Sequence, residues 1–210
     1  MFKPVFLMVP FVCSAVPYSQ AQHIIHLKNP SFELDQEFRC SQAPKFWDNL
    51  GQDFDTPPDV QPGCFDVSTP ASHGSHYVSM VVRDNGSCEK LGQPLEKWLE
   101  KDSIYAFSIT LARSAVFRAM SKTTNMDAYF TQACALQVIG FNEKTKSTEV
   151  LAETVPVHHT DWRDYILELK PRKERYHYLQ IKAIHDPEST SPYNGNILVD
   201  NLSPIIQINP

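Results

Sequence analysis

The chain has 210 residues, with 24 acidic against 19 basic side chains and a net charge of −5 at neutral pH. A mildly acidic chain without basic blocks excludes nucleic acid as a partner, because phosphates demand clustered Lys and Arg, and it excludes an anionic membrane surface for the same reason. No apolar run approaches the ~20 residues of a membrane span, so no span is expected.

The chain opens as a secretory leader. Lys3 is its one charge, residues 4–18 are apolar, and Ser19-Gln20-Ala21 sets small residues just before a cut ahead of Gln22. A lipoprotein reading would lipidate Cys13, but Val12 is bulky where a small residue is expected. The expected organisation is a signal peptide over residues 1–21 and one mature domain over 22–210, which is enough chain for one core and not for two. The expected location is extracellular, periplasmic or cell-envelope. Cys40, Cys64, Cys88 and Cys134 remain after the cut. Export permits disulfides, and sequence alone leaves their pairing open. No C-x-x-C is present, which weakens redox and zinc-knuckle readings.

The segment between Phe38 and Cys64 carries Pro44, Pro57, Pro58 and Pro62 with Asp48, Asp53, Asp55 and Asp59. It reads as a long acidic surface loop, of the kind that is functional or tied down. A Cys40–Cys64 bridge would tie its ends. Residues 76–82 read as a strand. Residues 94–101 hold Leu95, Trp98 and Leu99 at helical spacing and predict a short helix. In residues 104–112, Tyr105, Phe107, Ile109 and Leu111 share one face against Ala106, Ser108 and Thr110, which is the period of a half-buried strand. Residues 115–126 are weakly periodic and predict a loop with a helical turn. The alternation returns at Cys134, Leu136 and Val138, at Tyr165, Leu167 and Leu169, and at Leu179, Ile181 and Ala183. Residues 197–202 and 204–208 close the series, with Pro204 confined to a strand start or an edge. Many short strands without a βαβ unit predict an all-β, single-domain antiparallel sandwich or barrel.

Asn29-Pro30-Ser31-Phe32-Glu33 near the start and Val199-Asp200-Asn201-Leu202 near the end resemble the opening and closing strands of galactose-binding-like jelly-roll families, which include many carbohydrate-binding modules. The resemblance implies an antiparallel jelly-roll β-sandwich whose first and last strands lie side by side. It also implies a structural calcium ion held by Glu33 and Asp200. Calcium takes about six to eight hard oxygens, so two carboxylates and loop carbonyls suit it. Without the ion, Glu33 caps a turn and Asp200 accepts backbone amides.

Further landmarks are Cys40, Trp47, Pro58-Asp59 with Cys64, Gly74-Ser75-His76-Tyr77, Gln93-Pro94-Leu95, Tyr105-Ala106-Phe107-Ser108 and His159-Thr160-Asp161-Trp162-Arg163. Their order resembles modules of secreted gliding-associated and OmpA-like Bacteroidota proteins. That resemblance implies the Cys40–Cys64 pairing and an exported setting. Those proteins continue into a further domain where this sequence stops at Pro210, which argues against the expected envelope attachment. Cys88 and Cys134 are expected to form a second bridge, the alternative being a buried Cys134 thiol.

Sugar sites stack rings on exposed aromatics beside polar groups. Trp47, Phe54 and Tyr193 fall in loops and are the candidate ligand-binding residues, with Trp47 open to a core reading and Trp162 assigned to the core. The pairs His23/His26, His73/His76 and His158/His159 form no H-E-x-x-H, and adjacent strand residues face opposite ways, so no catalytic zinc is expected. Asp53, Asp55 and Asp59 are the acids a polysaccharide hydrolase would need, read here as a solvated face. The expected function is a secreted, non-catalytic module that binds glycan. The rivals are a structural or adhesion protein with a cell-envelope protein partner and, third, a polysaccharide hydrolase.

Overall fold

The computed structural model describes residues 23–35, 40–52 and 56–208, so the leader, Asp53, Phe54 and Asp55 lie outside the described residues. The described chain is all strand and loop. Its strands are β1 (Ile24–Ile25), β2 (Asp48–Asn49), β3 (Asp59–Gln61), β4 (Tyr77–Val82), β5 (Lys90–Leu99), β6 (Tyr105–Ala112), β7 (Arg118–Met120) and β8 (Asp127–Tyr129). They continue with β9 (Gln132–Ala133), β10 (Ala135–Asn142), β11 (Ser147–Glu153), β12 (Arg163–Leu169), β13 (Tyr176–Ile184), β14 (Gly195–Asp200) and β15 (Ile205–Gln207).

Two antiparallel sheets face each other as a jelly-roll β-sandwich. One runs β1-β15-β6-β14-β4-β3, with β12 also on β6 and β9 parallel to β14. The other runs β11-β10-β13-β5-β2, and β7 and β8 form a separate hairpin. The alternation in the sequence explains the core between the sheets. Tyr105, Phe107, Ile109 and Leu111 of β6 meet Leu136 and Val138 of β10 and Leu179, Ile181 and Ala183 of β13 in one buried cluster.

Strands β4 and β14 break the alternation, and for a reason. Val78, Met80 and Val82 face the main core with Ile197 and Val199. Tyr77, Val81 and Leu198 face the other way, into a second cluster with Val67, Phe117 and Phe130. Strands buried on both faces read as continuous apolar runs. The cover for this second face is the segment before β4 together with the β7–β8 hairpin. The stretch expected as an acidic surface loop is therefore partly interior: Trp47, Asp59, Val60 and Gln61 are all buried. The stretch 115–126, expected as a loop with a helical turn, instead supplies β7 and the approach to β8, because its partner strand makes it an edge-to-edge ribbon.

The helix expected over 94–101 is also corrected. It is the second half of β5, with Pro94 opposite Tyr178 and Leu99 opposite Tyr176. Tertiary pairing overrides local spacing here. Pro94 is tolerated because β2 covers only Leu91 and Gly92 on the other side of β5, leaving an open edge.

Cys40 and Cys64 are bridged, with Cα atoms 5.7 Å apart. The bridge holds the covering segment against the sheet. Removing it by Cys40→Ser/Cys64→Ser frees a loop whose closure is worth about 3 kcal/mol. The expected result is a lower midpoint in a denaturant titration, with protease nicking appearing between residues 40 and 64.

Candidate functional site

A cavity of about 170 Å³ lies between the outer face of the β3–β4 pair and the covering segments. Its walls are Phe65, Phe117, Phe130 and Met120, and its floor is Asp59, Arg83 and Glu89. The floor is built by the turn Asp84-Asn85-Gly86-Ser87. Gly86 sits at φ 86°, which the turn needs and a side chain resists. The Arg83 amide donates to Ser87 O at 2.9 Å and the Gly86 amide to Arg83 O at 2.9 Å, so the chain reverses tightly. Glu89 is thereby folded back onto β4. Its Oε2 accepts the Val81 amide at 2.9 Å, and its Oε1 accepts the Arg83 guanidinium. Arg83 also donates to Thr56 Oγ1 at 3.3 Å, and Asp59 Oδ1 accepts the Ser41 amide at 2.6 Å. Ser41 and Phe65 each adjoin a bridged cysteine, so the disulfide anchors both a floor contact and a wall.

Three charged groups this deep must support one another. Burial pushes the Asp59 carboxyl up to about 6, against the pull of the Ser41 amide and Arg83. Burial likewise raises Glu89, which is 1% exposed, and the neighbouring Asp59 raises it further, while Arg83 opposes. The result is an aromatic-walled pocket with strong donors and acceptors on one side. That chemistry suits a small ring bearing hydroxyls.

Neither Trp47 nor Tyr193 lines this cavity. Trp47 is 4% exposed, packs on Phe32 at 5.2 Å and donates its indole N–H to Asn29 O at 3.0 Å. Tyr193 is half-buried, and its hydroxyl donates to Ala133 O at 2.7 Å and accepts the Asp186 amide at 2.6 Å. Phe54 lies outside the described residues, as do Asp53 and Asp55. Trp162 packs edge-on against Tyr77 at 5.1 Å. Asp59 reaches the pocket, whereas Glu33 stands elsewhere. Sequence reading missed Phe65, Phe117, Phe130, Arg83 and Glu89. The available signal was Arg83 and Glu89 flanking a turn between apolar strands, where alternation asks for apolar residues.

Glu33 and Asp200 do converge, on the loop 72–76. Glu33 Oε1 accepts the amides of Ser75 (2.9 Å) and His76 (3.1 Å), and Oε2 lies 3.1 Å from His76 Nδ1. Asp200 Oδ2 accepts the amides of Ser72 (2.9 Å) and His73 (2.8 Å), and Oδ1 accepts Asn201 at 2.6 Å. Gly74 between them has φ 66°, and a side chain there would run into Glu33. Burial raises Glu33, but the Ser75 and His76 hydrogen bonds outweigh it and hold the carboxyl below its usual range. Burial wins at Asp200, which is raised. The opening motif joins this clasp: Asn29 holds its own turn through Glu33 N (2.8 Å) and O (3.0 Å), and Pro30 O accepts Leu202 N at 3.0 Å. Two converging carboxylates fit calcium in charge; the N–H groups already turned on them do not. Among the described residues, no group of three or more His, Cys, Asp or Glu is placed to hold a metal.

Cys88 and Cys134 are thiols, which corrects the expected second bridge. Each sulfur has a direction of its own. Cys134 Sγ turns to Gln132 O at 3.9 Å in the core, while Cys88 Sγ lies between Gly86 O at 3.7 Å and His185 Nδ1 at 3.8 Å.

These features define an all-β protein with a jelly-roll β-sandwich fold. No protein-family model matches the sequence, and no curated protein matches it either. Solved structures are similar in fold. A cyclase from Fischerella sp. TAU, in complex with an indolyl butanone, matches 87% of this chain and 96% of its own at TM-score 0.56 and 14% identity. The arabinose-bound α-L-arabinofuranosidase MgGH51 matches 88% of this chain with 27% of its own at TM-score 0.53 and 15% identity. The K2 cleaved adhesin domain of Lys-gingipain matches 90% and 99% at TM-score 0.50 and 12% identity.

Three outcomes test the site. The cost of ionised Asp59 is absent below its ordinary value of 3.8 and complete above about 6. Asp59→Asn should therefore gain on the wild type as pH rises from 4 to 7, by about 3 kcal/mol, since each tenfold change in proton affinity is worth about 1.4 kcal/mol; unfolding titrations at both pH values measure it. Asp200→Ala strands three amides and should cost about 3 kcal/mol or more. A melting temperature equal in calcium and in chelator goes with a hydrogen-bonded clasp. A fall of many degrees in chelator would put calcium between Glu33 and Asp200.

Proposed function

We propose that this chain is a secreted, non-catalytic module that binds carbohydrate, with the pocket over Asp59, Arg83 and Glu89 as its sugar site. The observation that carries this reading is the pairing of three phenylalanines and Met120 with a buried carboxylate–guanidinium floor in one cavity. Apolar ring faces stack against aromatic walls while hydroxyls meet oriented charged partners. Support for export comes from the leader-like N-terminus and the Cys40–Cys64 bridge. Glu89 is held from both sides by Val81 and Arg83, which favours orienting a ligand over moving a proton. A structural calcium ion at Glu33 and Asp200 would have to displace the amides that now face both carboxylates, and the chelator melt tests for it.

A second reading has its own observation. Met120 (61% exposed), Met126 (65%) and Tyr129 (67%) leave an apolar rim on the β7–β8 hairpin beside the pocket. Such a rim favours a protein partner of the cell envelope or matrix.

A glycan array followed by calorimetry separates the two. The expected result is binding of neutral sugars, weakened about tenfold by Phe65→Ala or Met120→Ala, as fits the loss of one ring contact. A folded sample that binds no glycan, yet captures an envelope protein through Met126 and Tyr129, would replace the first reading with the second.

A further inference from the structure

Beyond the turn at residues 84–87, successive side chains alternate. Glu89 enters the pocket described above, while Cys88 and Lys90 line a separate cleft of about 210 Å³ with Gly86, Lys182, Leu50, Gly51 and Gln52. Cys88 is partly exposed there.

The thiol faces a base whose tautomer is set. His185 Nε2 lies 3.1 Å from two carbonyl oxygens, those of Arg83 and Tyr193. Carbonyls only accept, so Nε2 carries the proton of the neutral ring. Nδ1 is then the bare nitrogen, and it is the atom 3.8 Å from Cys88 Sγ. Tyr193 stands edge-on to the imidazole at 4.8 Å, and its own hydroxyl is tied to Ala133 O, so the ring is braced. A nucleophile, a base and groups that orient the base recur wherever thiols are activated.

The charge around the cleft acts in the same direction. Lys90 and Lys182 are paired opposite each other across β5 and β13. Like charges directly opposite are destabilising. Among the described residues, no carboxylate lies within ion-pair distance of either lysine. Burial and Lys182 hold the Lys90 ammonium below its ordinary value. Tyr193 and Cys134 also lie close enough to Cys88 to interact with it electrostatically. Cys134 is fully buried, and burial pushes its thiol far up, so it stays protonated and inert.

We propose that Cys88 is an activated thiol that forms mixed disulfides with small anionic disulfides. His185 takes the Cys88 proton at Nδ1. The thiolate attacks one sulfur of the incoming disulfide, the new S–S bond forms as the old one breaks, and the departing thiolate leaves with the electron pair. The incoming disulfide is the sole oxidant, and the leaving half is what is reduced. Lys90 and Lys182 draw the anionic reagent in. The proposal is independent of what the aromatic pocket binds.

The chain carrying Cys13→Ser is titrated, without prior reduction, with dianionic dithiobis-nitrobenzoate and with neutral dithiodipyridine across the pH range, and the modified residue is mapped by mass spectrometry. The expected result is one fast thiol, lost in Cys88→Ser and kept in Cys134→Ser, that still reacts well below the ordinary thiol value of about 8.5. His185→Gln should slow the reaction about tenfold at low pH and move the profile upward. Lys90→Gln/Lys182→Gln should slow only the dianionic reagent, which reads the cleft even if His185→Gln does not fold. An ordinary thiol profile unchanged by His185→Gln, equal loss with both reagents in the lysine variant, or no titratable thiol in the native protein would each overturn the proposal.

Discussion

Strands β4 and β14 lie side by side in the eight-stranded sheet and carry apolar side chains on both faces. Water must be kept from each face, and a two-sheet sandwich covers only one. The second cover has to come from outside the sandwich. It is assembled from the disulfide-tied segment before β4 and from the β7–β8 hairpin, which meet over Tyr77, Val81 and Leu198. Two covers from distant parts of the chain do not close flush, and the aromatic-walled cavity is the space left at their junction.

The same junction explains why charge is buried there. Arg83 and Glu89 leave the strands at a tight turn, and the covering segments then close over them. Once enclosed, each is supported by the other and by backbone: Val81 N for Glu89, Ser41 N for the adjacent Asp59. Removing one partner of such a set exposes the rest to the full cost of desolvation. Glu33 and Asp200 perform a related task, Glu33 half-buried and Asp200 fully buried. They collect the amides of one loop and so fix the segment around Glu33 to the end of β14. The opposite face of the turn at residues 84–87 carries Cys88, so a single tight reversal positions side chains in two separate clefts.

How much of this was legible beforehand divides by the range of the interactions. Tyr105, Phe107, Ile109 and Leu111 announced β6, and each alternating run that followed became a strand. The kinship of Asn29-Pro30-Ser31-Phe32-Glu33 with Val199-Asp200-Asn201-Leu202 pointed to neighbouring ends, and Leu202 N does reach Pro30 O. The Cys40–Cys64 bridge was implied by resemblance and is present. Residues 94–101 misled because their helical spacing is local, while their pairing with β13 is not. Trp47 drew attention as a loop aromatic and is packed on Phe32, since a loop in sequence can still be interior when it covers a sheet.

The sequence by itself determined the strand-rich character, the alternating core positions and the clasping motifs at the two ends. All of these are written in periods of two or in short contiguous runs, and sterics and burial act on them residue by residue. Only the tertiary structure decided that Asp59, Arg83, Glu89, Phe65, Phe117 and Phe130 share a cavity, and that Cys88 meets His185 without bridging to Cys134. Those meetings depend on strand order and on where each turn reverses the chain. Both are set by pairing between segments far apart in sequence, which no local pattern encodes.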